Sequence, residues 1–137
     1  MKEQEIQRIK ALAGQNPFAK YIGMELVEVD EGYAFGRINF ERQHENIYGG
    51  MHGGCAYSLA DTVSGIAAAT YGTYVTTLNA SMNYLLPVEN TNYVNCRARV
   101  VRHGRRISVF SIKITNDEEQ VLIDGNFTFY NLSKEMA

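Results

Sequence analysis

The 137-residue chain has no tryptophan, two prolines and two cysteines, Cys55 and Cys96. So few thiols, with no C-x-x-C pair and no His/Cys group at metal-ligand spacing, exclude a disulfide scaffold and leave no zinc site to propose. Long apolar runs are missing too. Nothing reaches the roughly 18 residues of a membrane span, and the first 13 residues alternate charge with Ile6, Ile9 and Leu12 instead of forming the unbroken apolar core of a secretory signal. The reading is a cytoplasmic protein that does not cross a bilayer. An excess of positive charge is also lacking: 13 Lys and Arg against 15 Asp and Glu give a net charge of −2, which removes general nucleic-acid binding. No G-x-S-x-G, G-x-x-x-x-G-K-[ST] or H-E-x-x-H string occurs, and Gly49-Gly50-x-x-Gly53-Gly54 follows no strand–turn–helix dinucleotide pattern, so serine-hydrolase, nucleotide and zinc-protease readings drop out.

What is present is ordinary globular material, 45% apolar and 20% charged, enough for one α+β domain over residues 1–137. Ile6, Ile9, Leu12 and Ala13 mark an N-terminal surface helix within residues 1–15, stopped by Gly14 and Asn16-Pro17. Met24 to Asp30 and Gly32 to Phe40 read as a hairpin, and residues 41–51 as a loop. Gly53 to Thr70, rich in alanine and apolar on nearly every face, predicts a long buried helix. Four strands follow, Val75–Leu86, Tyr93–Val101, Ile107–Thr115 and Val121–Leu132, expected as successive antiparallel neighbours around that helix.

One charge, Asp61, interrupts the apolar helix. A buried carboxylate is costly unless something holds it, so Asp61 is either a packing residue satisfied by nearby donors or a catalytic base or nucleophile. At the head of the same helix, His52-Gly53-Gly54 brings unsatisfied amides and the positive dipole end together, and a glycine there lets a carbonyl come close enough to share a backbone N–H. The alternative is a glycine pair that only permits a tight turn. Gly53 and Asp61 are eight residues apart, about 12 Å along a helix, and cannot flank one carbonyl within one chain. If both act on one substrate, an antiparallel second copy must bring its Asp61 to the first copy's Gly53, which predicts a dimer with two composite sites.

Asn46-x2-Gly49-x2-His52-Gly53-Gly54-x4-Leu59-x-Asp61-x3-Gly65-x-Ala67 closely resembles the hotdog-fold acyl-CoA thioesterases of the phenylacetate-pathway (PaaI-like) type. Asn16-Pro17-Phe18, Tyr84 to Pro87 and Gly104-Arg105 resemble that family as well, so the likeness runs from about Asn16 to Leu132. It implies a long central helix wrapped by an antiparallel sheet, dimers that join two sheets, and often tetramers. It also implies hydrolysis of a thioester of coenzyme A, or of an acyl carrier protein, without metal or organic cofactor. By position it makes Asp61 the general base or nucleophile, Asn46 a residue that positions water or thioester, and the Gly53 amide the group that polarises the carbonyl. His52 and Gly54 shape that region. Thr77 takes the place of a hydroxyl that holds the lytic water, with Thr76 the alternative one residue away.

Residues 97–113 hold Arg97, Arg99, Arg102, Arg105, Arg106 and Lys113 without one acidic residue. Guanidinium forks suit the phosphates of coenzyme A, and Arg102, His103, Gly104, Arg105 and Arg106 at a strand turn are the candidates. Arg97 and Arg99 read as a solvated strand face. Tyr48, Tyr57 and Tyr84 are candidates to line the acyl pocket, and Cys55 and Cys96 read as small buried thiols. Two other functions remain open: a hotdog hydratase or dehydratase, which would want a catalytic histidine paired with an acid, and a non-catalytic acyl-CoA sensor, for which residues 1–23 are too short to supply a helix-turn-helix.

Overall fold

The computed structural model describes residues 1–135, with side chains through Leu132. Helix α1 spans Glu3–Ala13 and α2 Pro17–Ile22; strands β1 (Met24–Asp30) and β2 (Tyr33–Asn39) form the hairpin, and a 3-10 turn covers Arg42–His44. Helix α3 runs from Gly53 to Ala69, followed by β3 (Thr73–Tyr84), β4 (Tyr93–His103), β5 (Ile107–Thr115) and β6 (Val121–Glu135).

Helix α2 is absent from the sequence expectation, and the reason is local. Asn16-Pro17 reads as a stop for α1, yet it is also a start: Asn16 Oδ1 accepts the Ala19 amide at 3.1 Å and Pro17 occupies the first turn, where a missing N–H costs nothing. Gly23, at φ 76°, ends the helix in a left-handed conformation that glycine adopts without a Cβ penalty.

The six strands form one antiparallel sheet in the order β1-β2-β4-β5-β6-β3. This corrects the expectation that the last four strands are neighbours in succession: β3 pairs with β6 at the far edge, while β4 pairs with β2. The chain leaves β2 through α3, which lies across the sheet, so β3 re-enters on the opposite side.

The sheet covers only one face of α3. Ala56, Leu59, Ala60, Val63, Ala67 and Ala68 are buried at helical spacing against Ile38, Ile112, Ile114 and Phe129 of the strands. Ser64 is buried among them and returns its hydroxyl to the Ala60 carbonyl at 2.6 Å. On the other face Tyr57 is exposed, and Asp61, Thr62, Gly65 and Ile66 are half-buried. The expectation of burial all round is therefore corrected, and with it the burial of Asp61. Alanine fits either side of a helix, and one sheet can wrap only one of them. Cys55, on the open side, is likewise half-buried rather than buried.

Close packing of helix on sheet depends on Gly36 in β2. A Cβ there would lie 2.6 Å from Val63 Cγ2 and 3.2 Å from Met24 Sδ. Gly36→Ala should lower stability by about 1–3 kcal/mol in chemical denaturation, because a well-packed core takes an added methyl only by strain. Val63→Ala in the same chain should recover part of the loss, which a purely conformational effect of the glycine would not allow.

Candidate active site

His52 is the N-cap of α3. Its Nδ1 accepts the Gly54 amide at 2.8 Å, while its carbonyl takes the Cys55 and Ala56 amides. Among the described residues no partner is found for the Gly53 N–H, the first of the helix. The cap thus consumes the second amide and leaves the first, where the dipole adds to its donor strength. Tyr84, at the end of β3, reaches over this terminus: its hydroxyl donates to the Gly53 carbonyl at 2.8 Å. Burial, reinforced by nearby Tyr57, pushes the Tyr84 phenol above its usual range, so it stays a donor. Met51, Ala56, Leu86, Val88 and Ile123 surround an apolar hollow of about 280 Å3 that Gly53 and Tyr84 share.

The loop that leads to this helix is anchored from below. His44 is buried, its Nδ1 accepting the Glu41 amide at 3.0 Å and its Nε2 lying 2.8 Å from the Ile22 carbonyl, which places the proton on Nε2. The His44 carbonyl in turn accepts the His52 amide at 2.8 Å. Asn46 is half-buried and holds the loop tip: its side-chain oxygen accepts the Tyr48 amide at 2.8 Å, and its own amide donates to Gly50. The Tyr48 ring is 87% exposed, and Tyr57 packs on Phe127 with ring centroids 5.4 Å apart. Of the three candidate pocket tyrosines, Tyr84 is the one that lines this hollow.

Two turns further along α3, Thr77 Oγ1 donates to Asp61 Oδ1 at 2.8 Å. The pair joins α3 to β3 and sets Thr77, not Thr76, beside the carboxylate. No partner is found for Asp61 Oδ2 among the described residues. The pair sits at a hollow of about 390 Å3 lined by Leu12, Asn16, Ile66, Val75 and Phe129. Helix α1 supplies part of that wall, a role its amphipathic pattern alone does not reveal.

The β4–β5 turn lies at the other end of α3. Asn131 of β6 fastens it, donating its side-chain amide to the Gly104 carbonyl at 3.0 Å and its backbone amide to Arg106 at 2.7 Å. The His103 ring stacks on Tyr71 at 3.6 Å, and its Nδ1 is hydrogen-bonded with Ser108 Oγ at 3.0 Å. His103, Arg105 and Arg106 line a hollow of about 450 Å3 with Tyr71, Thr73 and Asn131; Arg102 stands on β4 outside it. Arg97 and Arg99 stand on the solvated strand face, half-buried and exposed, and stack there on Phe35 and Tyr33. Cys96 is fully buried, which drives its thiol far above the ordinary range.

One long helix packed along one face of a six-stranded antiparallel sheet is the hotdog arrangement. The profile of the Thioesterase superfamily matches residues 48–123, and the chain belongs to that family. It is similar to the acyl-coenzyme A thioesterase PaaI of Escherichia coli K12, 26% identical over 116 residues that span 85% of this chain and 83% of that one. In fold it matches the crystallographic E. coli PaaI protein from the phenylacetic acid degradation operon, with a TM-score of 0.90 at 23% identity over 96% of this chain and 95% of that one. A Streptococcus mutans UA159 protein bound to acetyl CoA has a TM-score of 0.79 at 26% identity, covering 82% of this chain and 91% of its own.

The cap can be tested by itself. His52→Ala should cost about 1 kcal/mol of stability, the usual value of an N-cap side chain, and His52→Asn should restore most of it. Equal stability of His52→Ala and the parent in urea would deny the cap an energetic role.

Proposed function

We propose that this protein hydrolyses an acyl-CoA to the free acid and coenzyme A, with Asp61 of one chain and Gly53 of a second chain completing each site. The observation that carries this reading is the Asp61–Thr77 pair at the mouth of an apolar hollow. Asp61 Oδ2 takes a proton from water held beside Thr77, and the resulting hydroxide adds to the thioester carbonyl. The negative charge passes to the carbonyl oxygen, which the Gly53 N–H stabilises. Collapse expels the coenzyme A thiolate, and Asp61 returns the proton to it. Direct attack by Asp61 to give a mixed anhydride, then hydrolysed by water, uses the same groups. Asn46 helps to position the thioester, and His52 and Gly54 hold the amide that serves it.

The need for a second chain follows from distance, since eight residues of α3 separate Gly53 and Asp61 by about 12 Å. Two further features support pairing. Strand β3 is a 12-residue sheet edge that offers unpaired backbone groups to another strand. Leu78, Leu85 and Leu86 are about half exposed on and after it, next to the open face of α3. A twofold axis across β3 would cover both, and two such dimers would pair into a tetramer. The phosphates of coenzyme A take the hollow of His103, Arg105 and Arg106, and the reaction belongs in the cytoplasm.

Thiol release from a panel of short, medium, long-chain and aryl acyl-CoAs tests this directly. Asp61→Asn should lower kcat about 100-fold or more, the usual contribution of a positioned base. Absence of turnover on every thioester by the parent protein, with acyl-CoA still bound, would instead favour a sensor. Arg105→Gln with Arg106→Gln should raise KM with little change in kcat, because a phosphate remote from the carbonyl is held equally in ground and transition states; a drop in kcat at constant KM would remove the phosphate assignment.

A further inference from the structure

The hollow beside Asp61 extends well past the point where a carbonyl would react. Asp61, Gly65 and Ala69 follow one another at i, i+4 and i+8 on the face of α3 that the sheet leaves open, so they lie in a row about 12 Å long. All three line the hollow of about 390 Å3, to which α1 adds Leu12 and Ala13, β3 Val75 and β6 Phe129. Thr62 and Ile66, again at i and i+4, stand beside the row and line the same space, forming a ridge along it. Beyond the Asp61–Thr77 pair, the lining is apolar apart from Asn16, Thr62 and Tyr74.

Gly65 is the informative residue. Glycine is a poorer helix former than alanine, and its presence inside a helix calls for a reason. Conformation does not supply one, because Gly65 lies within regular α3 with no left-handed φ. Nor does packing: among the described residues, the nearest atom to a Cβ built there, outside the backbone of α3, is Phe129 Cε1 at an ordinary 3.9 Å. Gly36, whose Cβ would meet Val63 Cγ2 at 2.6 Å, is the contrasting case of a glycine required by contact. What the missing side chain at Gly65 leaves is space, one helical turn beyond the carboxylate and inside the hollow.

The hydrolase reading puts the reacting carbonyl at Asp61, and an apolar passage leading away from it suits the acyl chain. An extended chain advances about 1.3 Å per carbon, given bonds of about 1.5 Å, so the row from Asp61 to Ala69 takes about eight to ten carbons. We propose, resting on that reading, that this passage holds the acyl group, that Gly65 and Ala69 keep it open and Leu12 bounds it, and that the substrate is the thioester of an unbranched medium-chain acid.

Thiol release from acetyl-, butyryl-, octanoyl-, dodecanoyl- and phenylacetyl-CoA gives the profile, and kcat/KM should peak at octanoyl-CoA. Ala69→Leu throws its side chain back over the Gly65 turn and should lower the octanoyl-to-butyryl ratio of kcat/KM about 10-fold or more, as the loss of about two buried methylenes would. Gly65→Ala should shift the ratio the same way by a smaller factor while holding or raising Tm, since alanine suits the helix better. Leu12→Ala should move the peak towards dodecanoyl-CoA. A flat profile, a peak at phenylacetyl-CoA, or variants that slow every substrate by one common factor would overturn the proposal. So would a lower particle mass of Gly65→Ala in light scattering with the parent profile retained, which would give the space to a second copy of α3. Binding to Asp61→Asn separates the two claims: octanoyl-CoA should bind at least about 10-fold more tightly than acetyl-CoA, by the area of its added methylenes, and Ala69→Leu should erase most of that difference. Turnover without chain-length preference would leave hydrolysis standing and remove the passage; graded binding with no turnover by the parent would leave the passage standing and remove hydrolysis.

Discussion

The packing of one face of α3 into the sheet is what the remaining features rely on. Ala56, Ala60, Ala67 and Ala68 let the helix sit close, and Leu59 and Val63 fill the space between it and the strands. A helix held this way behaves as a strut. Its N-terminus, its middle and its end keep fixed separations, so the Gly53 amide, the Asp61 carboxylate and the Tyr71 ring that stacks on His103 are placed along one axis by a single packing event. The rise of 1.5 Å per residue sets those separations within the chain.

The same packing leaves the opposite face of the helix open, and Asp61 stands there. A carboxylate in the buried face would have needed costly compensation; half-buried Asp61 is met by one hydroxyl, from Thr77 of β3. The price of this arrangement is an exposed flank made of α3 and the β3 edge, the kind of surface that natural proteins cover or blunt. Covering it with a second copy would remove the exposed leucines and shorten the gap between Gly53 and a carboxylate in one step. On the far side of the sheet, the β2–β4 register does different work, laying Arg97 over Phe35 and Arg99 over Tyr33.

Much of this was legible from residue order. β1 and β5 lie where alternation puts them, and the helix start at Gly53 follows from His52-Gly53-Gly54. The Asp61–Gly53 spacing needs no structure at all. What was not legible depends on contacts distant in sequence. The crossover of β3 to β6 reflects where α3 deposits the chain. Whether Thr76 or Thr77 meets Asp61 turns on a single residue of register, since strand side chains alternate. The stacking of Arg97 on Phe35 joins strands that no local pattern connects. Alanine was ambiguous in α3 because its small side chain suits a core and an open face equally, and Asn16-Pro17 served as both a stop and a start.

A mixed dimer isolates the claim that two chains build each site. Gly53→Pro deletes the amide at the first helical position, where proline fits the backbone, and Asp61→Asn deletes the base. A dimer purified through two different tags, one chain carrying each change, would hold one site with both groups intact and one with neither. Thiol release at about half the parent rate from the mixed dimer, with both homodimers inactive, is the expected result. A mixed dimer as inactive as the two homodimers would contradict a composite site and return both groups to a single chain.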